Sequence, residues 1–214
     1  MIIDVWSDVV CPWCFIGKRR LEKALATFEH RDEITIRHRA FQLDPNAKET
    51  LPTKDLLATK YNVSPSQVKE MQANVCAVAD GEGLCYQLDE TLSGNTFDAH
   101  RLLLWSATVG KQDELLEALF SAYFEKSRPV FTHADLVAIA LTIGIDADVA
   151  DDILRSDQYA DEVIADRNLA TQLGANGVPF FVLDMKYGIS GAQPLEAFTT
   201  TLNQAWEDYQ AELK

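Results

Sequence analysis

The sequence predicts an α/β fold, a small sheet interrupted by a helical insertion, and three observations carry that expectation. A strand-helix-strand pattern fills the start of the chain, strand signals then vanish, and they return at Pro179 ahead of a final helix. Ile2 to Trp6 is a short apolar and β-branched run, broken by Asp4, that reads as a buried strand. From Pro12 the pattern turns helical. Phe15, Ile16, Leu21, Leu25 and Phe28 share one broad face, with Lys18, Arg19, Glu22 and Lys23 between them. Lys18 and Arg19 are expected in solvent. Ile34 to Phe41 alternates apolar and polar residues as a second strand, and the segment between is long enough for a parallel crossover.

Helices are expected near 54–60, 65–80, 96–109, 112–125, 133–143, 147–155 and 158–174. Ser64-Pro65 is an N-cap followed by a first-turn proline, and Thr132 caps the helix after Arg128-Pro129. Pro179 to Leu183 is an apolar strand, and DMKYG (184–188) is a turn leading to Ile189 and Ser190. Pro194 opens a last helix whose inner face holds Leu195, Phe198, Leu202, Ala205, Trp206 and Tyr209. This order is a thioredoxin-like layout with an all-helical insertion. Residues 1–45 and 158–214 form the two parts of the thioredoxin-like domain, and residues 46–157 form the insertion.

With 47% hydrophobic and 24% charged residues in 214, the chain can bury a substantial core. Its 33 acidic against 19 basic residues, a net charge of −14, repel phosphate backbones and anionic lipid, so neither nucleic acid nor a membrane is an expected partner. MIIDVWSDVV lacks the basic and apolar regions of a signal peptide, so a cytoplasmic location is expected, with thiols mostly reduced. Four cysteines (Cys11, Cys14, Cys76, Cys85) are too few for a disulfide scaffold.

Cys11-Pro12-Trp13-Cys14 stands where the first strand hands over to a helix. Pro12 suits the first helical turn, and Cys11 would sit where free N–H groups and the helix dipole favour a thiolate. Cys14, one turn on, would come back beneath it. Cys11 is then the exposed nucleophile and Cys14 the resolving thiol. A zinc site would need two further ligands at close spacing, whereas the other cysteines are nine apart and His30, His38, His100 and His133 are scattered, so no metal is expected. Asn176-Gly177-Val178-Pro179 precedes the late strand, and a proline there is often cis. Val178 would then offer free backbone groups to an extended peptide. Pro12, Trp13, Val178 and Pro179 are therefore the candidate substrate-binding residues.

"WSDVVCPWCFIGKRRLEKAL", "FQLDP", "NTFDAHRLLLWSA" and "GVPFFV" together resemble the DsbA family of thioredoxin-fold proteins, in its FrnE-like branch. The resemblance spans the chain and implies a dithiol–disulfide oxidoreductase or isomerase, with Cys11 and Cys14 matching the redox pair and Pro179 the cis-proline beside it. It implies no tightly bound cofactor. Glutathione is a candidate co-substrate, a thiol- or disulfide-containing protein or peptide the candidate partner, and a homodimer a candidate assembly. The best-known periplasmic member has histidine where Trp13 stands, a partner lost to the thiolate, and Asp8 would oppose the thiolate if it faces the site. A potential between about −270 and about −120 mV is expected.

Two alternatives remain. Asn95-Thr96 with Arg101 is similar to a segment of 2-hydroxychromene-2-carboxylate isomerases and kappa-class glutathione transferases, but those carry serine in place of Cys11. Asn95-Thr96 also reads as a plain helix cap. A peptide-binding, chaperone-like module is the other alternative, with His100, Arg101 and Trp105 lining a groove or simply packing as a helix. Cys76 and Cys85 flank Gly81-Glu82-Gly83, and a tight reversal there would bring them near enough for a second redox pair. Buried apolar thiols are the simpler expectation for them.

Overall fold

The computed structural model of the chain describes residues 1–213. Its main sheet has the order β2-β1-β5-β6, formed by β1 (Ile2–Ser7), β2 (Thr35–Ala40), β5 (Phe180–Leu183) and β6 (Tyr187–Ser190). β1 pairs in parallel with β2, from Ile2 opposite Thr35 to Ser7 opposite Ala40. On its other side β1 pairs antiparallel with β5, which pairs antiparallel with β6.

The two-residue period of β1 sorts its side chains between two apolar layers. Ile3 and Val5 pack with Leu21 and Ala24 of α1 (Pro12–Ala26) and with Phe198, Leu202 and Trp206 of α9 (Leu195–Glu212). Trp6 faces the opposite layer, against Ala170 of α8 (Ala160–Gln172) with Phe180 and Val182. The Trp6 indole donates to the Asp166 carbonyl at 2.8 Å. Asp166 in turn accepts from the Ala40 N–H and from Arg39, both at 2.9 Å. α8 is thereby tied to the outer strand β2 by polar bonds as well as packing.

The insertion holds α2 (Thr53–Tyr61), α3 (Pro65–Gly81), α4 (Phe97–Ala107), α5 (Gln112–Phe120), α6 (His133–Leu141) and α7 (Ala147–Arg155). Capping boxes start α3 (Ser64 with Gln67) and α6 (Thr132 with Asp135). Asp146 caps α7 through the Asp148 and Val149 N–H groups. The helical signal running to residue 125 is real, but its last turn, Ser121–Glu125, is a π segment. One feature carried no sequence signal: Leu51–Pro52 (β3) pairs antiparallel with Leu92–Ser93 (β4), two residues a side and too short to show alternation. The late turn is also shorter than expected, closing over 184–186 with Asp184 and Met185 at φ 50° and 55°, so that Tyr187 already belongs to β6.

The insertion does not stand apart from the sheet. Val9, Cys11, Cys14, Phe15 and Ile16 lie in one apolar cluster with Leu102, Leu115, Leu116, Phe120 and Phe124. The outward side of α1 is covered as well, which corrects the expectation that Lys18 and Arg19 are in solvent. Lys18 is 6% exposed, and its ammonium meets Glu22, Asp113 at 3.1 Å and Glu117 at 3.1 Å. Arg19 pairs with Glu22 and Glu117 and lies over the Phe15 ring, 4.7 Å from its centre. Burial pulls on both cations, yet the facing carboxylates outweigh it and hold their pKa values above the ordinary ones. Glu22 is on α1 itself, but Asp113 and Glu117 come from α5, nearly 100 residues away, where no local pattern on α1 could announce them.

Candidate active site

Cys11 is the N-cap residue of α1, in extended conformation, and Pro12 opens the helix. The Cys11 N–H donates to the Asp8 carbonyl at 3.0 Å, and the Cys14 N–H donates to the Cys11 carbonyl at 2.9 Å. This turn places Cys14 one helical turn in, below the mouth. Cys11 is not the exposed thiol that the sequence suggested: it is 4% exposed, and Cys14 is 2% exposed. The Cys11 Sγ donates to the Val178 carbonyl at 3.5 Å, and that contact, with the insertion around it, closes over the sulfur. Trp13, at 39% exposure, is the part of the motif that faces solvent.

The Val178-Pro179 peptide bond is cis. The Pro179 carbonyl accepts from the Gly191 N–H at 2.8 Å, which fixes the start of β5. Gly17 seats α1 on this turn, since a Cβ there would lie 3.0 Å from both the Pro179 ring and the Phe181 ring. Gly17 was not among the residues the sequence singled out, although a glycine inside a helical pattern is a signal of close approach.

Tyr86, from the segment after α3, donates its hydroxyl to the Pro12 carbonyl at 2.7 Å and stacks on Phe124. Burial, and then the nearby Cys11 and Cys14 sulfurs, push its pKa well above the ordinary phenol range, so it remains a donor. Tyr86 too was missed by the sequence reading, because no local pattern points a tyrosine at a carbonyl 74 residues back.

Burial pushes the Cys14 thiol well up from its ordinary value of 9.0, and the hydrogen bond to Cys11 and the charge of Cys11 push in the same direction; a backbone hydrogen bond from Asp8 works against them. Cys14 therefore holds its proton in the folded, reduced protein where an unfolded chain would lose it. The stability this supplies is complete below about pH 9 and is lost as pH rises from there toward the folded value. Reduced protein should lose stability between pH 8 and 10 more steeply than a Cys14→Ala variant, measured by urea unfolding at each pH. Parallel curves would contradict the assignment.

Asp8 turns its carboxylate inward. Its Oδ2 accepts the Leu43 N–H at 2.7 Å, and its Oδ1 lies 3.3 Å from the Nε2 of His100 on α4. Asn95 acts as the cap foreseen for it, its Oδ1 accepting from the Phe97 N–H and from Gln42, both at 2.9 Å. Arg101 lines no groove. It is buried and bonds the carbonyls of Ile153, Leu154, Ser156 and Gln158 together with Asp98. Among the described residues, no three His, Cys, Asp or Glu side chains gather in a metal-ligating group.

All four cysteines are free thiols. The half-buried Cys76 Sγ contacts the Tyr86 carbonyl at 3.9 Å. Along 84–88 burial alternates, with Leu84, Tyr86 and Leu88 inward and Cys85 exposed between them, so the Cys85 side chain points away from α3. Bridging Cys76 and Cys85 would require this segment to turn over. Thiol counting on oxidised protein should therefore find two free thiols, with none expected only if the second pair also closes.

Residues 2–203 match the family of DSBA-like thioredoxin domains. The structure superposes on that of a probable DsbA oxidoreductase from Streptomyces coelicolor with a TM-score of 0.93 and 45% identity, over 97% of this chain and 90% of that one. A 2-hydroxychromene-2-carboxylate isomerase superposes with a TM-score of 0.73 at 16% identity, over the whole of both chains. The cytosolic disulfide reductase DsbM from Pseudomonas aeruginosa, solved with glutathione, does so with a TM-score of 0.65 at 14% identity, over 97% of this chain and all of that one. At such identities the last two show a shared fold alone. No curated protein sequence matches. A family match over nearly the whole chain, with a probable DsbA oxidoreductase at 45% identity beside it, places this chain in the DSBA-like thioredoxin domain family.

Proposed function

We propose that the chain is a protein thiol–disulfide oxidoreductase that works through the Cys11/Cys14 couple. The observation that carries this reading is the placement of the Cys11 sulfur at the start of α1, beside the Val178 carbonyl, with a protonated Cys14 one turn beneath it. Cys11 attacks a disulfide sulfur of the substrate, one substrate thiolate leaves, and a mixed disulfide forms. Cys14 then attacks the Cys11 sulfur, closing Cys11–Cys14 and releasing the second thiolate; the two electrons pass from the dithiol to the substrate. Run backwards, the same steps oxidise a substrate dithiol.

Pro12, Trp13, Val178 and Pro179 form the rim on which an extended protein or peptide segment docks, with exposed Trp13 as its apolar contact. The partner is thus a thiol- or disulfide-bearing protein or peptide, with glutathione as co-substrate, and the setting that suits reduced resting thiols is the cytoplasm. Among the described residues no helix is long and apolar enough to cross a membrane. A homodimer belongs to the same proposal. The glutathione-dependent isomerase alternative is disfavoured by the presence of both thiols. Insulin reduction tests the reading: the chain should speed precipitation of the reduced B chain in dithiothreitol, and a rate equal to dithiothreitol alone would overturn it.

A further inference from the structure

The Tyr86 hydroxyl links the insertion to the backbone of the redox motif, donating to the Pro12 carbonyl at 2.7 Å. Packing does not call for that hydroxyl. The ring stacks on Phe124 at 4.8 Å and on Phe15 at 6.2 Å, contacts that phenylalanine would make equally well. Nor does the carbonyl need the bond. Pro12 is the first residue of α1, and its carbonyl already takes a helix N–H from the next turn. Tyr86 therefore fills the second lone pair of a carbonyl that has a partner. The segment is held for this contact from both sides. The Cys85 N–H donates to the Glu125 carboxylate at 3.3 Å, and the Gln87 N–H donates to the Phe124 carbonyl at 2.6 Å.

What matters is the peptide group on which the bond lands. The Pro12 carbonyl and the Trp13 N–H belong to one peptide, the first within α1, and an N–H so near a helix start has no partner inside the helix. Hydrogen bonds in a chain polarise one another. Donation to the carbonyl thus makes that N–H a stronger donor and adds to the positive end of the helix. Cys11 is the residue at that end. As a thiol it makes no capping bond and donates to the Val178 carbonyl at 3.5 Å. Once ionised, its sulfur can only accept, and the start of α1 offers the donors. Around Tyr86 the charged and titratable groups are the Cys11 and Cys14 sulfurs, Glu125 and Arg19; burial first, and then the sulfurs, hold the phenol proton in place. Asp8 and His100, the remaining titratable pair nearby, face each other.

We infer that Tyr86 is a positioning residue for the exchange reaction, its hydroxyl polarising the Pro12–Trp13 peptide so that the start of α1 better stabilises the Cys11 thiolate. The inference rests on the Cys11/Cys14 reading. In the step it serves, Cys11 gives its proton to water and its thiolate bonds one sulfur of the substrate disulfide. The bond between the two substrate sulfurs breaks, and the second sulfur leaves with the electron pair as a thiolate. Tyr86 touches no reacting atom and acts through the peptide alone.

A Cys14→Ser background isolates the step, because the mixed disulfide between Cys11 and glutathione then persists. Its formation from oxidised glutathione is followed by peptide mass mapping from about pH 6 to about pH 10, with Tyr86 intact and with Tyr86→Phe. Strengthening a hydrogen bond to an ion by the roughly 10–30% typical of such chains changes the thiolate population by up to about fivefold. The more basic thiolate of the variant is also the better nucleophile and recovers about half of that loss on a logarithmic scale. Tyr86→Phe should therefore react about twofold more slowly near pH 7 and as fast or faster at the alkaline end, where both thiols are ionised. Equal rates at every pH would overturn the inference, as would a slowing that does not change with pH, the mark of a merely structural role. 3-Fluorotyrosine at position 86 keeps the ring and donates more strongly, so it should raise the rate near pH 7. If Tyr86→Phe does not fold, that replacement decides, and an unchanged or lower rate counts against the inference. A Cys14→Ser protein that forms no mixed disulfide at Cys11 would instead overturn the Cys11 reading.

Discussion

A Cys11→Ser variant should lose disulfide exchange by about three orders of magnitude or more, because removal of a covalent nucleophile leaves only binding and background chemistry. Cys14→Ser should behave differently and accumulate a mixed disulfide. The asymmetry follows from position. Cys11 caps α1 beside the Val178 carbonyl, where an incoming disulfide meets the rim, whereas Cys14 is sealed one turn below with its proton held by burial. Incubated with oxidised glutathione, Cys14→Ser should gain one glutathionyl group by intact mass and Cys11→Ser none. Full exchange activity in Cys11→Ser would mean that the nucleophile has been misassigned.

Arg101→Leu should destabilise the protein by about 3–5 kcal/mol, the range found when one partner of a buried charged network is removed. The C-terminal carbonyls of any helix lack intrahelical partners, and those of Ile153 and Leu154 near the end of α7 are buried against the Arg101 side chain. Arg101 supplies those partners, bonding the Ile153 carbonyl at 2.7 Å, the Gln158 carbonyl at 2.8 Å, the Leu154 carbonyl at 3.3 Å and the Ser156 carbonyl, while Asp98 balances its charge at 2.8 Å. Leucine fills part of the volume and satisfies none of these groups. For a chain of this length the loss corresponds to a fall in Tm on the order of 10 °C. Urea unfolding at pH 7 measures it, and a change below about 1 kcal/mol would show that the carbonyls find other partners.

The contrast between α1 and α4 shows where sequence reading reaches its limit. Much of what neighbours in the chain set was visible: the strand Ile2 to Trp6, the capping residues Ser64 and Thr132, the proline that opens α1, and the inward stripe of α9 from Phe198 to Trp206, although Leu195, expected on that face, is exposed at the first turn. The Cys11-Pro12-Trp13-Cys14 motif and Val178-Pro179 were visible for the same reason, since each is a short segment whose conformation its own residues dictate. What the sequence hid depends on partners far along the chain. Lys18 and Arg19 look like solvated charges until Asp113 and Glu117 are brought over them. The burial of Cys11 follows from the insertion packing on the first turn of α1, which also brings His100 to Asp8. Arg101, read as lining a groove or simply packing with its helix, is an internal cap because α7 ends against it. The β3–β4 ribbon was hidden for a different reason, being too brief for any period to register.

The central claim is that Cys11 and Cys14 form one reversible two-electron couple, and equilibrium titration of the protein against glutathione tests it most directly. Samples poised at graded ratios of reduced to oxidised glutathione would be quenched with an alkylating reagent and each cysteine mapped by mass spectrometry. The account predicts that Cys11 and Cys14 become protected together in a single transition, with a potential between about −270 and about −120 mV. Cys76 and Cys85 should remain alkylatable throughout. Cys11 and Cys14 both staying free at every ratio, or closing at different ratios, would contradict it.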